Sequence, residues 1–505
     1  MSKTVELEIP LNRVEGDLDI RVSIKDGVIV DAKSIGTLYR GFENILRGRD
    51  ALDSLVITPR ICGICSITHL SAAVEALESS QNITPPPQAV RLRNLSLISE
   101  TVQSDIRQFF LMYMADFANK AYENESFYEE AMKHYEPFKG KSSKRALQQS
   151  TNILKLVAII GGQWPHTSHM VPGGISTIPT MLELNVAASH IDTTILWYEE
   201  HVLGMDIDTF ATSITSEASF FKHIESNADT DLARFTNYAK KCNLFEIGKS
   251  GNNFLSYGTV NDPVNPKKRL IKEGAIIDGA LESLSLESIT EDISHAWFKQ
   301  IQIVQKPFEG VTEPDMKSKG GYTWGKAPRY GKNVMQTGPL AQALVNEDAL
   351  MVSLHAKYED CAYVRELARI LRPAIHLRYA REQMREVLQN FTDSTYDKVA
   401  HSFSGLGVGL VEAARGSLGH WVKFEDGKIS NYQIITPTAW NGSPKDENGK
   451  HGAWEKSLLG LQVKDVDNPI EMGHVIRSFD PCLVCTVHTI DLKNTTEKYK
   501  FRIGL

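Results

Sequence analysis

Polar and apolar residues alternate in two regions of the chain, one near each end. Near the start, the alternation runs through LDIRVSI and VIVDAKSI, on either side of Lys25-Asp26-Gly27. Near the end, WVKFED and KISNYQII repeat the pattern around Asp426-Gly427. An Asp-Gly pair between alternating stretches is typical of a tight hairpin turn. We therefore predict antiparallel strands in both regions.

Between these regions, most apolar positions follow the period of a helix. Amphipathic stretches occupy 88–120 and 179–203, and a charged one occupies 345–392, where Pro373 predicts an interruption. In 205–330, a cluster of Gly, Asn, Pro and Lys predicts irregular structure with short strands, inserted between helical blocks. The predicted fold class is α+β and mainly α-helical, with one large helical core and small peripheral antiparallel hairpins or sheets.

Composition agrees with an ordinary soluble globular protein of 505 residues, of which 42% are hydrophobic and 23% charged. No apolar stretch reaches the roughly 18 residues that a membrane-spanning helix needs. The N-terminal MSKTVELEIP lacks the apolar centre of a signal peptide, which favours a cytoplasmic location. The net charge of −7 gives no support for a nucleic-acid partner.

Cysteine spacing provides the first candidate chemistry. Four of the six cysteines form two C-x-x-C pairs, Cys62/Cys65 and Cys482/Cys485, separated by residues 66–481. So few cysteines in a chain of this length are not typical of a protein stabilised by disulfide bonds. Two residues between thiols allow both sulfurs to face one ion, and two pairs can complete a four-thiolate site. We therefore predict a metal site built from both ends of the chain.

The spacing alone leaves the metal in this site open. Two such pairs most often bind a zinc ion that stabilises a non-catalytic protein. Four thiolates also suit an iron–sulfur cluster. Zinc usually stabilises a small unit whose core is insufficient, whereas the helical core predicted here is large. A metal that joins two distant segments of a large core is more typical of a reaction centre.

The residues around the cysteines resemble the large subunit of nickel–iron hydrogenases. RICGIC followed by His69 and DPCLVC followed by His488 correspond to the family's two cysteine motifs, in the family's order. Other signature blocks of the family are similar to NRVEGDL, LYRGFENILRGRD, WPHTSHMVPGG, EAARGSLGHW and NYQIITPTAWN. The resemblance spans essentially the whole chain and implies a single large catalytic subunit over 1–488.

This resemblance implies a nickel–iron centre whose iron carries carbon monoxide and cyanide. All four cysteines, Cys62, Cys65, Cys482 and Cys485, would bind nickel. Cys65 and Cys485 would also bridge to the iron. Cys482, a terminal ligand of nickel, would be the first proton acceptor when H2 is cleaved. Soft thiolates suit both metals, which makes the implied ligand set chemically consistent.

The resemblance also assigns roles to residues outside the cysteine pairs. Glu15 would pass the proton onward, Arg415 would lie over the metals with Asp480 as its acidic partner, and Thr438 would donate to a cyanide. Considered alone, Glu15 and Arg415 would be surface charges, the usual location of such residues.

A second ion is implied near the C-terminus. Glu43, the backbone carbonyl of Ile434 and His488 match the family's magnesium site, which is sometimes described with iron. Oxygen ligands and water are what magnesium prefers, and a histidine is a less typical ligand.

Two departures and a tail refine the resemblance. Ala414 replaces a proline of the best-known respiratory members, and Ser104 replaces an aspartate, with Asp105 one position later. Both departures resemble the group that contains cytosolic uptake hydrogenases and hydrogen sensors. Residues 489–505 match the tail that a maturation protease removes after His488, and sensors typically lack it. An uptake enzyme is therefore implied, with a hydrogen sensor as the alternative.

The implied activity is reversible heterolytic cleavage of H2 into protons and electrons. No cysteines remain for a chain of electron-relay clusters, so a small subunit with iron–sulfur clusters is an expected partner. Nickel chaperones and the maturation protease would bind transiently. The glycine-rich GLGVGL at 405–410 does not fit the G-x-G-x-x-G pattern, because position 410 is Leu, so we predict no dinucleotide site there.

Overall fold

The computed structural model describes residues 4–16, 18–399 and 402–482. The strands in these ranges are β1 (Thr4–Pro10), β2 (Leu18–Lys25), β3 (Val28–Gly36), β4 (Met170–Val171), β5 (Gly174–Ile175), β6 (Phe254–Ser256), β7 (Thr259–Asn261), β8 (Arg269–Ile271), β9 (Gly274–Ile277), β10 (Ala280–Glu282), β11 (Ile289–Asp292), β12 (Val304–Gln305), β13 (Ala327–Tyr330), β14 (Gly405–Ala413), β15 (Gly416–Glu425) and β16 (Lys428–Ile435).

The α-helices of the same ranges are α1 (Phe42–Leu46), α2 (Ser54–Ile57), α3 (Ser66–Gln81), α4 (Pro87–Arg107), α5 (Tyr128–Tyr135), α6 (Lys141–Gly161), α7 (Met181–Trp197), α8 (Ile207–Ser213), α9 (Glu217–Ser226), α10 (Asp231–Lys241), α11 (Pro339–Val345), α12 (Ala349–Tyr358), α13 (Ala362–Gln389), α14 (Pro437–Asn441), α15 (Ala453–Leu458) and α16 (Ile470–Arg477). Two π-helical turns, Gln108–Tyr113 and Tyr198–Leu203, extend α4 and α7.

Both predicted hairpins are confirmed. Strands β1, β2 and β3 form one antiparallel sheet, and β14, β15 and β16 form another. Each Asp-Gly turn has both residues at positive φ, with 53° and 81° at Asp26 and Gly27, and 49° and 74° at Asp426 and Gly427. Two consecutive positive φ values are what a type I′ hairpin turn requires, and Asp and Gly adopt them at low cost.

The main hydrophobic core lies among long helices, as predicted. Helix α4 packs against α6 and α13, and α7 packs against the same two helices. The predicted interruption at Pro373 is wrong, because α13 continues through this residue. Proline has no N–H to donate to the carbonyl of Arg369, four residues earlier in the helix. The next carbonyl, that of Ile370, accepts a hydrogen bond from the buried hydroxyl of Tyr198.

The prediction of irregular structure from residue 205 onward is wrong for its first third, where α8, α9 and α10 are helical. Each helix begins at a side-chain cap: Asp206, Ser216 and Thr230 accept hydrogen bonds from the backbone N–H three residues later. Such caps stabilise short helices by about 1 kcal/mol each. The predicted short strands begin at β6 and form three small sheets with the strands up to β13.

Helix α3 and strand β14 pack backbone to backbone, and this contact places the cysteine motif that precedes α3. Gly407 and Gly409 lie against the carbonyls of Ala76 and Ala72, and a Cβ on either glycine would collide with them. The glycine-rich segment is therefore a strand that requires small residues for close approach. It is not a loop that surrounds phosphates.

No single helix in the described ranges is long and apolar enough to cross a membrane. Two consecutive helical segments, Ala51–Arg60 and Gly63–Gln81, are long and apolar enough only when taken together, and the chain bends by 120° between them.

Candidate metal centre

Three cysteine thiols from the two ends of the chain meet in one buried cluster. Cys62 and Cys65 precede α3, and Cys482 follows α16. Their sulfur atoms all lie within 4.8 Å of one another, and the Sγ atoms of Cys62 and Cys482 are 3.7 Å apart. All three residues are buried. The fourth predicted ligand, Cys485, lies outside the described residues.

The backbone around Cys482 is held by two other parts of the chain. The backbone N–H of Cys482 donates to Oγ1 of Thr438 at 3.1 Å. The backbone N–H of Glu15 donates to the carbonyl of Pro481 at 3.2 Å, which pairs the Glu15 segment with the cysteine. The structure therefore places both predicted residues, Glu15 and Thr438, next to the thiol cluster.

Partial burial raises the pKa of the Glu15 carboxyl above its ordinary value. The negative charges of Cys482 and Asp480 act in the same direction, whereas the guanidinium groups of Arg415 and Arg40 oppose them. A carboxyl with a raised pKa beside a thiol is suited to exchange a proton with it.

Arg415 is buried beside the cluster and pairs with Asp480, as the resemblance implies. It occupies the two-residue turn between β14 and β15 with Ala414, and its Nη2 lies 3.2 Å from Oδ1 of Asp480. Burial alone would lower the pKa of this guanidinium, but the negative charges of Asp480 and the three thiols outweigh it and raise the pKa. The expectation for an isolated arginine, an exposed cation, is wrong here.

Two nitrogens of Arg415, Nε and Nη1, are buried and have no hydrogen-bond partner among the described residues. Unpaired buried donors are costly, so they indicate a ligand with acceptor atoms. Soft buried thiols beside a cation with unused donors fit a thiolate-bound metal centre that carries anionic, hydrogen-bond-accepting ligands.

A buried network supports the turn that carries Arg415, and of its residues only the shifted Asp105 was noticed in the sequence. The carboxylate of Asp105 binds Arg372 with two hydrogen bonds of 2.6 and 2.8 Å. Arg369 lies 3.5 Å from both Asp105 and Asp480. Arg369 and Arg372 both donate to the carbonyl of Ala414. The peptide before Arg415 is therefore fixed by two arginines of α13.

Glu100 is another residue near the site that was not predicted from the sequence. This buried carboxylate on α4 accepts hydrogen bonds from the backbone N–H groups of Ile67 and Thr68 and from the Thr68 hydroxyl, each 2.9 Å long. It thus caps the start of α3, one residue after Cys65. Burial outweighs these bonds and raises the pKa of Glu100 to about 7. The sequence offered no signal for it, because the residues one helical turn away, Ser96, Leu97, Gln103 and Ser104, are mostly polar.

The predicted second-ion residues lie around a small cavity of about 40 Å³. The Glu43 carboxylate accepts from the backbone N–H of Ile434 at 3.0 Å, and the Lys326 ammonium lies 3.3 Å from both Glu43 and Glu291. Burial raises the pKa of Glu291. Glu43 and Ile434 are thus brought together, while His488 lies outside the described residues.

Comparison with known proteins agrees with this site. The sequence model of one family, described as nickel-dependent hydrogenase, matches residues 40–125 and 144–488. The periplasmic [NiFeSe] hydrogenase large subunit of Desulfomicrobium baculatum is 29% identical, over 97% of this chain and 95% of that protein. The uptake hydrogenase large subunit of Rhodobacter capsulatus is 28% identical, over 95% and 94% of the two chains.

Solved structures agree with the sequence comparisons. A [NiFeSe] hydrogenase variant from Desulfovibrio vulgaris Hildenborough has a TM-score of 0.82 at 29% identity, and the match covers 96% of this chain and 99% of the other. The match covers nearly the whole of both chains, so the predicted mainly helical fold class is confirmed together with the nickel–iron centre. The chain belongs to the nickel-dependent hydrogenase family, as the catalytic large subunit of an enzyme that oxidises H2.

Proposed function

We propose that Cys62, Cys65, Cys482 and Cys485 hold the nickel, and that Cys65 and Cys485 also bridge to an iron that carries carbon monoxide and cyanide. The observation that carries this proposal is the meeting of three buried thiols from both motifs, two of them 3.7 Å apart. When bound, the centre supplies the site at which H2 is cleaved heterolytically. The protein supplies a buried pocket with the Arg415 guanidinium beside the thiols.

Arg415, Asp480 and Thr438 form the hydrogen-bonding surroundings of the cyanide ligands in this proposal. The unpartnered Nε and Nη1 of Arg415 are donors suited to a cyanide nitrogen. Asp480 orients the guanidinium through its 3.2 Å contact. Thr438 accepts from the backbone of Cys482 through its oxygen, so its own O–H is left to donate.

The proton leaves through Cys482 and Glu15. The Cys482 thiolate accepts a proton at Sγ, and the Glu15 carboxylate takes it over and passes it outward. The backbone pairing of Glu15 with the Pro481–Cys482 segment and the raised pKa of its carboxyl support this order. Glu15→Gln removes the proton acceptor but keeps the side-chain shape. It should lower both H2 oxidation and H/D exchange by about 10²-fold or more.

For the second ion, we infer magnesium bound by Glu43, the carbonyl of Ile434 and His488, with iron as the other metal to test. The cavity beside Glu43 has room for about one water molecule. Glu43 and Glu291 offer carboxylate oxygens at this cavity, the kind of ligand that magnesium prefers.

Hydrogenase large subunits work with a small subunit, and we propose that the one paired with this chain carries iron–sulfur clusters. The two cysteines outside the C-x-x-C pairs, Cys242 and Cys361, are isolated, and Cys361 is buried in the helical core. The metal centre therefore needs an electron relay from its partner. We further propose a cytoplasmic location, and removal of 489–505 by a maturation protease after chaperones deliver nickel.

Metal analysis and infrared spectroscopy of the processed protein, purified with its small subunit, test this proposal. We expect nickel and iron in near-equal amounts and infrared bands of iron-bound carbon monoxide and cyanide. Cys62→Ser should lose the nickel, while the matched control Cys361→Ser, also buried, should keep it. Zinc alone would contradict the proposal.

Turnover with an artificial electron acceptor separates an uptake enzyme from a hydrogen sensor, because a sensor has the same centre but low turnover. Mass spectrometry of the active enzyme tests the processing step. A mass that still includes Leu505 would show that the tail is retained.

A further inference from the structure

Glu366 is a buried acidic residue of the helical core with few polar neighbours among the described residues. It lies on α13, is fully buried, and neither of its carboxylate oxygens makes a hydrogen bond within the described residues. Its polar neighbours are the Gln108 amide and the Arg369 guanidinium, whose Nε lies 3.5 Å from Oε2. Since an ionised carboxylate without hydrogen bonds is strongly disfavoured in a core, Glu366 is neutral and carries a transferable proton.

On one side, Glu366 faces the surroundings of the metal centre. Arg369 lies between Glu366 and Asp480, at 3.5 Å from each carboxylate. Asp105 and Asp480 are the negative charges that face Glu366, and both raise its pKa, as burial does more strongly. The Nε of Arg369 is also buried without a hydrogen-bond partner.

On the other side, polar groups continue towards the surface. Oε1 of Gln108 and the hydroxyl of Tyr113 are buried and unpartnered among the described residues. The Tyr113 ring contacts that of His474, with centroids 5.5 Å apart. His474 shares a hydrogen bond of 3.0 Å with the hydroxyl of Tyr122. Tyr122 is only partly buried and its sequence neighbours on both sides are exposed.

From this juxtaposition we propose that Glu366 relays protons between the metal centre and the surface at Tyr122, along a route separate from that of Glu15. The unpartnered atoms along the route are of the kind that bind internal water, which carries protons across gaps longer than a hydrogen bond. In each transfer, the O–H bond of Glu366 breaks towards the Tyr113 side. A new O–H bond forms at its other oxygen with a proton that H2 cleavage releases at the metal centre and that internal water carries past Arg369, whose guanidinium keeps its own protons, so charge and atoms balance.

The proposal rests on H2 oxidation by this chain, and Glu366→Gln tests it in the assembled enzyme. Because the native carboxyl is neutral, glutamine is a close mimic in size and charge but cannot relay a proton. Glu15→Gln should leave about a hundredth of the activity or less, so the contribution of Glu366 is measured in that background. Adding Glu366→Gln should keep the nickel content and the KM for H2, lower the residual kcat at least tenfold and enlarge its solvent isotope effect. A residual kcat within about twofold of that of Glu15→Gln alone, or no residual turnover in Glu15→Gln, would overturn the relay.

Infrared spectroscopy gives a readout that does not depend on turnover. A protonated buried carboxyl has a carbonyl band that shifts on transfer to D2O. This band should be lost from the spectrum of Glu366→Gln, and its persistence would overturn the proposal. Glu455→Gln is the matched control, because Glu455 is equally buried but bonds to Ser34 and Tyr322 elsewhere, and its turnover should stay unchanged.

If Glu366→Gln does not assemble, Tyr113→Phe removes only a hydroxyl on the same route. In the Glu15→Gln background it should also lower the residual kcat with a raised isotope effect, and unchanged values of both would overturn the proposal. Parental activity of Glu15→Gln alone would instead contradict the proposed exit through Glu15, and Glu366→Gln alone should then lower kcat at least tenfold.

Discussion

The two cysteine motifs are held in different ways. Cys65 directly precedes α3, and Glu100 caps that helix through three hydrogen bonds of 2.9 Å, so local secondary structure fixes its position. Cys482 lies in a non-helical segment whose contacts reach Glu15, Thr438 and, through Asp480, Arg415. The first motif is thus formed with the core, whereas the second depends on groups brought from distant parts of the chain.

We expect the largest loss of nickel and activity from a substitution beside the second cysteine motif. Asp480→Ala leaves the buried Arg415 without its partner and removes a charge that Arg369 shares. Removing one partner of a buried pair costs about 3–5 kcal/mol. We expect loss of most nickel and of H2 oxidation, measured by metal analysis and turnover. Full nickel occupancy in this variant would show that the second motif is as self-supporting as the first.

Next in size is Glu100→Ala on the side of the first motif. It leaves three buried donors at the start of α3 unpaired, which should lower the free energy of unfolding by about 3 kcal/mol. Chemical denaturation of the assembled enzyme measures this loss. The matched control, Glu75→Ala, removes a less buried glutamate of α3 whose partner Arg269 lies away from the cap. An equal loss in both variants would contradict the special role of the cap.

The pH dependence of stability provides a second test of the role of Glu100. The pKa of Glu100 is raised to about 7 in the folded protein, so the folded state binds the proton more tightly than the unfolded state. The contribution of Glu100 to stability is therefore full below about pH 4.5 and decreases as the pH rises to 7, by roughly 3 kcal/mol in total. Glu100→Gln should flatten this part of the stability curve. Parallel curves for parent and variant would contradict the raised pKa.

The smallest expected effect is Thr438→Ala. It removes the acceptor for the N–H of Cys482 and should cost about 1 kcal/mol of stability. The cyanide bands should shift in the infrared spectrum, because the proposed donor is lost, while Thr438→Ser should restore them. Unshifted bands in the alanine variant would leave Thr438 only as a support of the Cys482 backbone.

Local signals made much of this structure predictable. The Asp-Gly turns, the helical periods of α4 and α7, and the C-x-x-C spacing each depend on residues close in sequence. Pro373 misled the prediction because α13 packs against α4 and α7, which are distant in sequence, and stays helical through this residue. Helices α8 to α10 were missed because the Gly and Pro cluster that follows them dominated the composition of the segment.

For the site, the sequence predicted the residues that belong to recognisable motifs. It did not predict the residues whose role depends on tertiary contacts. Asp105, Arg369 and Arg372 have meaning only once α4 and α13 are packed around the turn that contains Ala414. Glu100 and Glu366 look like ordinary helix charges until burial is known. Desolvation decides their protonation, and no sequence pattern reports it.

The glycine contact between β14 and α3 has a consequence for how this protein can vary. Arg415 lies two residues beyond β14 and Cys65 one residue before α3, so the spacing between cation and thiol is set where two main chains touch. A side chain at Gly409 would push the two main chains apart and so change the separation of Arg415 from Cys65. The surrounding core can vary, whereas this position accepts no residue larger than glycine.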